Sequence, residues 1–242
     1  GLGNFLCSLL LFFLPIFWYQ FRNKPLAATL AAVLLLGVIT TYSRGSLLGL
    51  MAGGLFFLFQ LPKDRKLALG VVGAVVALFI VPAAWLLGTS DYVQTLSFYD
   101  RLEVWQVPLT VIGQSAKSFW LGSGLNSYDI VAWPYIPANV PMESYKFWFP
   151  HNYYLLLMIQ FGMIGTAMTL GFLGWLLFDN WRRFRHTGGI SRSYGLALAC
   201  TIVSVFFVSI FDHSYSEAYF TILLFLLLGV LYVKPATADR PA

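Results

Sequence analysis

Charge is what this 242-residue chain has least of: 10% of its residues are Asp, Glu, Lys or Arg, against 59% hydrophobic. A soluble domain carries about a quarter charged residues. A chain this poor in charge has too little polar surface to cover itself in water, so lipid is the solvent for much of it. Cysteine is nearly absent. Cys7 and Cys200 both lie inside apolar runs and neither has a partner at metal-ligand spacing, so they read as small buried hydrophobes and a disulfide scaffold is excluded. No acidic residue interrupts an apolar run, which argues against a proton- or sodium-coupled carrier. No Asp-x-Asp or clustered acidic motif occurs in the long polar loop, so a metal-held diphosphate is not indicated, and no Ser-His-Asp signature is present. The chain lacks an initial methionine, and Gly1 runs almost directly into an apolar stretch without the basic start of a signal peptide. The expectation is a piece of a longer chain whose preceding part holds further spans.

What is abundant is apolar sequence at bilayer length. About 20 helical residues cross a hydrocarbon core. Seven stretches approach this, over Leu6–Tyr19, Pro25–Tyr42, Ser46–Leu61, Leu67–Leu87, Tyr153–Phe178, Tyr194–Phe211 and Ala218–Val233. Helices are expected because backbone polar groups in lipid must be satisfied within their own segment. The fold expectation is therefore an all-α, polytopic transmembrane bundle with one long loop on the outer side. It divides into 1–88 with four spans, 89–152 as the loop, and 153–242 with three spans and a tail. The connections alternate in charge. Eleven of the fifteen Lys and Arg fall on one side, in the segments holding Arg22, Lys63, Arg182, Arg183, Arg185, Arg192 and Lys234. The other side holds Arg44, Arg101, Lys117 and Lys146. The positive-inside rule makes the first side cytoplasmic and leaves the basic residues there as topology anchors.

The long loop contains Trp105, Trp120, Trp133 and Trp148. So aromatic a segment does not stay extended in water, and short amphipathic helices lying over the bundle are expected. Asp100–Gly113 is the best helical candidate, with Leu102, Val104, Trp105 and Leu109 as its apolar contacts and Pro108 as a cap or kink. Gly122-Ser123-Gly124 reads as a tight turn after Trp120.

Three places on this outer side carry chemistry. Arg44 stands in Ser43-Arg44-Gly45 between two spans, beside the N-terminal amides and positive dipole end of the next helix. That setting suits a phosphate or another anion, and it equally suits an arginine snorkelling to headgroups. Arg101 has Trp105 one helical turn further on and acidic neighbours in Asp100 and Glu103, so it reads either as an anion ligand or as a surface ion pair with cation–π packing. His151 precedes Asn152 where the loop enters a span. Histidine titrates near about pH 6.5 and serves as a general base; Asn152 is the matching N-cap for the helix that follows. His213, with Asp212 and Glu217, sits at the outer end of the last two spans; the group reads first as a hydrated turn and second as a candidate facing the same cavity.

Taken together and in order, Ser43-Arg44-Gly45, Asp100-Arg101-Leu102-Glu103-Val104-Trp105, Leu121-Gly122-Ser123-Gly124, His151-Asn152-Tyr153-Tyr154-Leu155 and Phe161-Gly162-Met163-Ile164-Gly165 resemble the O-antigen ligase family, which includes O-antigen polymerases. The resemblance covers roughly 35–176. It implies a glycosyltransferase of lipopolysaccharide biosynthesis in the bacterial inner membrane, working at the periplasmic face. The implied donor is a glycan on undecaprenyl diphosphate and the acceptor is lipid A–core. Neither metal nor other cofactor is implied, and the partners are these lipids and the surrounding membrane, with no nucleic acid. Arg44 and Arg101 correspond to diphosphate-binding catalytic arginines and His151 to the catalytic histidine; Asn152, Trp105 and His213 stand beside them as secondary candidates from the residues themselves. The chain carries Gln160 where members often carry an acid, so no carboxylate role is transferred there. The competing expectations are a polymerase joining lipid-linked repeats, and a flippase or transporter of anionic lipid-linked glycans.

Overall fold

The computed structural model describes residues 2–21, 23–41, 43–61, 104–136 and 150–210, with the backbone alone at Lys24 and Arg44. All regular structure among the described residues is helical. In chain order the helices are α1 (Leu2–Gln20), α2 (Lys24–Thr40), α3 (Arg44–Phe59), α4 (Val104–Gly113), α5 (Ala116–Leu121), α6 (Tyr128–Ala132) with a 3₁₀ turn at Trp133–Tyr135, α7 (Tyr153–His186) and α8 (Gly189–Val208). Of these, α1, α7 and α8 are long and apolar enough to cross a membrane, and α2 and α3 are shorter apolar helices. The expected spans over Leu67–Leu87 and Ala218–Val233 lie outside the described residues.

Local chemistry sets the helix starts. Asn23 caps α2 by accepting from the Leu26 amide at 3.1 Å, with Pro25 in the first turn. Ser43 caps α3 and Ser115 caps α5 in the same way, through the amides of Ser46 and Ser118. Asn152 caps α7, its Oδ1 accepting from the amides of Tyr154 at 3.0 Å and Leu155 at 3.1 Å.

Helix α8 is the centre of the bundle and packs against α1, α3 and α7. Its run Leu196–Cys200 is fully buried, as expected of a helix surrounded by others. Close approach to α3 depends on Gly49 and Gly53, spaced as in a small-xxx-small stripe. A Cβ at Gly53 would stand 2.7 Å from the Cys200 carbonyl, and one at Gly49 would stand 2.5 Å from the Ser204 hydroxyl. Cys7 of α1 meets Ser204 at 3.4 Å, so both expected buried thiols do lie in this core. At the arginine-rich end, Gln20 donates to the Gly189 carbonyl and the Ser193 hydroxyl, and Arg192 stacks over Phe184 and Tyr19. These contacts give Arg192 a packing role in addition to its place in the charge pattern.

The apolar run from Tyr153 does not form one straight crossing. Helix α7 has 34 residues and α8 has 20. Straight, they would measure about 51 and 30 Å at 1.5 Å per residue. Yet both ends of α7 are tied to α8. The two share a short turn at Thr187–Gly188, and at the far end the Tyr153 amide donates to the Ser209 carbonyl at 2.8 Å while the Tyr154 hydroxyl donates to the Phe206 carbonyl at 2.6 Å. The mismatch is absorbed at Gly162, where φ 65° and ψ −171° break the helix. Residues before the break pack with the loop helices: Leu156 and Ile159 meet Val107, Val111 and Ile112 of α4 and Tyr128 and Ala132 of α6. The apolar face of α4 is thus Val104, Val107 and Val111. Leu109, expected on that face, is instead exposed, because the helix presents its i, i+3, i+7 stripe to α7.

Candidate functional site

Of the sequence candidates within the described residues, the backbone of Arg44 and His151, with Trp105 and Asn152, lie at the end of the bundle where α1, α3 and α7 begin and α8 stops. Helix α3 starts on Arg44 itself, two residues before the span Ser46–Leu61 read from the sequence, so Arg44 belongs to the first helical turn rather than to the connection before it. The turn is held from below by α1. The Ser46 hydroxyl donates to Oδ1 of the buried Asn4 at 2.5 Å and lies 2.6 Å from the Ser43 hydroxyl. Asn4 and Ser46 were not singled out from the sequence. A lone asparagine in an apolar run was the available signal, since a buried amide demands a partner.

Beside this turn, between α1 and α2, opens a cavity of about 640 Å³ lined by Leu2, Leu6, Gly37, Thr40, Thr41 and Ser43, with Gly3 at its edge. Its walls are aliphatic with hydroxyls at the Ser43 side. The start of α3 brings the positive end of its dipole to the same region, beside Ser43, which lines the cavity and caps the helix.

His151 is linked to α3 by a short series of packing and backbone contacts. Gly49 of α3 packs on Val208, the next residue Ser209 accepts from the Tyr153 amide, and His151 lies two residues before Tyr153. Its conformation is unusual. His151 has φ 43°, the left-handed region that non-glycine residues seldom adopt, at a cost of roughly 1–3 kcal/mol. Both flanks enforce it. On one side Nε1 of Trp105 donates to the Pro150 carbonyl at 2.6 Å. On the other, the cap made by the buried Asn152 and the Tyr153–Ser209 bond fix the start of α7. The residue is half-buried. Strain of this kind clusters at functional sites.

Trp105 and Asn152 therefore have defined positions: both brace the backbone on either side of His151. Arg101 and His213 lie outside the described residues. Arg101 precedes Trp105 by four residues in the chain, so the Trp105–Pro150 bond ties the segment that follows Arg101 to His151. Among the described residues no three His, Cys, Asp or Glu side chains gather as a metal-binding group.

The Gly122-Ser123-Gly124 turn has a function in this geometry that its sequence did not disclose. The amides of Ser123 and Gly124 donate to the carbonyls of Ile159 at 2.7 Å and Gln160 at 2.9 Å. In an unbroken helix those carbonyls would accept from residues 163 and 164. The break at Gly162 frees them and the loop satisfies them. The two motifs Leu121–Gly124 and Phe161–Gly165 are one interlock, and it clamps the loop layer to the segment that starts at His151.

The family model of the O-antigen ligases matches residues 29–170, a stretch that contains Arg44, Trp105, the Gly122–Gly162 interlock and His151. No curated protein matches the chain significantly. The match spans more than half of the 242 residues, and on that ground the chain belongs to the O-antigen ligase family, whose chemistry is glycan transfer of the ligase and polymerase type.

Proposed function

We infer that the protein is a metal-independent, inverting glycosyltransferase that moves a glycan from undecaprenyl diphosphate to lipid A–core at the periplasmic face of the inner membrane. The observation that carries this is the left-handed, doubly braced backbone at His151, at the same end of the bundle as the helix that begins on Arg44. Arg44 and Arg101 hold the donor diphosphate. Its negative charge grows as the bond from the anomeric carbon to the phosphate oxygen breaks, and fixed guanidinium donors in a low-dielectric setting stabilise that growth. His151 takes the proton from the acceptor hydroxyl as the hydroxyl oxygen bonds to the anomeric carbon from the opposite face. A single displacement inverts configuration, and undecaprenyl diphosphate leaves. General-base help of this kind contributes roughly 10²–10⁴-fold.

Ligase rather than polymerase is the reading adopted, on the family description. A flippase would use the same arginines to grip a diphosphate in passage, but nothing in the bundle favours it. The deciding assay is purified protein in detergent, without a sealed compartment, given lipid-linked donor and lipid A–core. A transferase yields glycosylated lipid A–core there. A protein that only translocates yields none.

A further inference from the structure

The far end of α7 carries a second candidate site, independent of glycan transfer. Phe178, Trp181, Arg182, Arg185 and His186 line a cavity of about 280 Å³ on the helix face opposite the one packed on α8. Leu176, Asn180 and Phe184 occupy the opposite face and are buried. The cavity's composition is ordered along the helix. Each aromatic is followed one turn later by an arginine, Phe178 by Arg182 and Trp181 by Arg185, and the Arg185 guanidinium stacks over the Trp181 ring at 5.8 Å. The nearby carboxylate, Asp179, is engaged by Arg183 at 2.9 Å, on the flank rather than in the cavity. Two arginines and a histidine thus face one cavity whose lining, among the described residues, includes no acid. Toward the bilayer the same stripe continues as the stacked and exposed pair Phe172 and Trp175.

We propose that this face binds one anionic glycerophospholipid, its phosphate held by Arg182 and Arg185 and its chains lying along Trp181, Phe178, Trp175 and Phe172. The order apolar, aromatic, basic reproduces the order of a phospholipid from acyl chain through glycerol to phosphate, and the charge is complementary to an anionic headgroup alone. A basic anchor that only set topology would need neither the cavity nor the stacked tryptophan.

The test uses the full chain purified in detergent, with bound lipid read by native mass spectrometry and thermal unfolding read in parallel. The probes are phosphatidylglycerol, phosphatidylcholine and inorganic phosphate. The expected result is retention of phosphatidylglycerol over phosphatidylcholine, a higher unfolding temperature with phosphatidylglycerol, and no effect of inorganic phosphate. The double substitution Arg182→Gln with Arg185→Gln should weaken phosphatidylglycerol binding about thirtyfold, as loss of two headgroup-facing cations implies. Trp181→Leu, which keeps every charge, should weaken it severalfold and leave phosphatidylcholine unaffected. Equal retention of the two lipids, an unfolding shift reproduced by inorganic phosphate, or undiminished preference in Trp181→Leu would each overturn the proposal.

Discussion

The indole N–H of Trp105 donates to the carbonyl of Pro150 at 2.6 Å, across 45 residues of chain, and the next residue is the strained His151. This bond anchors the Pro150 side of His151, while the Asn152 cap anchors the other. Trp105→Phe keeps an aromatic ring, a smaller one, and deletes the donor. The expected outcome is a fall in turnover of about tenfold with a smaller change in apparent donor KM, since loss of one hydrogen bond of this type is worth about 1–1.5 kcal/mol. Steady-state kinetics on the purified variant checks it. A change confined to KM would place Trp105 on the donor instead.

Asn152 separates bracing from chemistry. Its buried amide oxygen is occupied by two backbone amides of α7. Asn152→Ala should cost about 1 kcal/mol of stability, and Asn152→Asp or Asn152→Ser should restore both stability and transfer, because those residues cap equally well. Thermal unfolding in detergent together with the transfer assay reads both. If the capping substitutes fold normally yet remain inactive, Asn152 contacts substrate.

Gly122 and Gly162 hold nearly the same backbone conformation, φ 75°, ψ −169° and φ 65°, ψ −171°, and face each other. A Cβ on Gly122 would stand 2.5 Å from the Gly162 nitrogen, and one on Gly162 would collide with the Trp120 carbonyl. Backbone cannot yield as a side-chain tip can. Gly122→Ala and Gly162→Ala should each destabilise the protein by about 2–4 kcal/mol, the conformational strain adding to the clash. Gly171→Ala is the control, since a Cβ there meets nothing. Unfolding temperatures that match across all three would remove the interlock from the account.

The chain's apolar runs made α1, α2, α3 and α8 legible, because hydrophobic stretches of bilayer length admit little but helix. The Asn152 cap was legible too, since a side-chain acceptor directly before an apolar run has few other uses. The ends of α7 and α8 were not. Hydropathy marks where lipid stops, whereas α7 runs on through Arg182, Arg183 and Arg185 to His186, and α8 starts at Gly189 rather than Tyr194. The break at Gly162 was hidden for a different reason. Its partner is a loop 40 residues earlier, and the freed carbonyls acquire donors only in the folded chain. Burial of Asn4 against Ser46 was hidden in the same way. Arg101 and His213, both read from the sequence, lie outside the described residues, so their places in the site remain part of the proposal.

Deletion in the native host distinguishes the two family chemistries. A ligase predicts that lipid A–core carries no surface glycan at all. A polymerase would leave a single attached repeat unit. Gel profiles of extracted lipopolysaccharide read the difference directly.

The most direct measurement of the central claim is glycan transfer by purified Arg44→Ala and Arg101→Ala proteins that insert at the normal level. Shared service of one diphosphate predicts a loss of about a hundredfold or more in each, impaired transfer in the corresponding lysine variants because the planar fork is gone, and intact donor binding with slowed transfer in His151→Ala. Full transfer by either alanine variant would contradict the assignment.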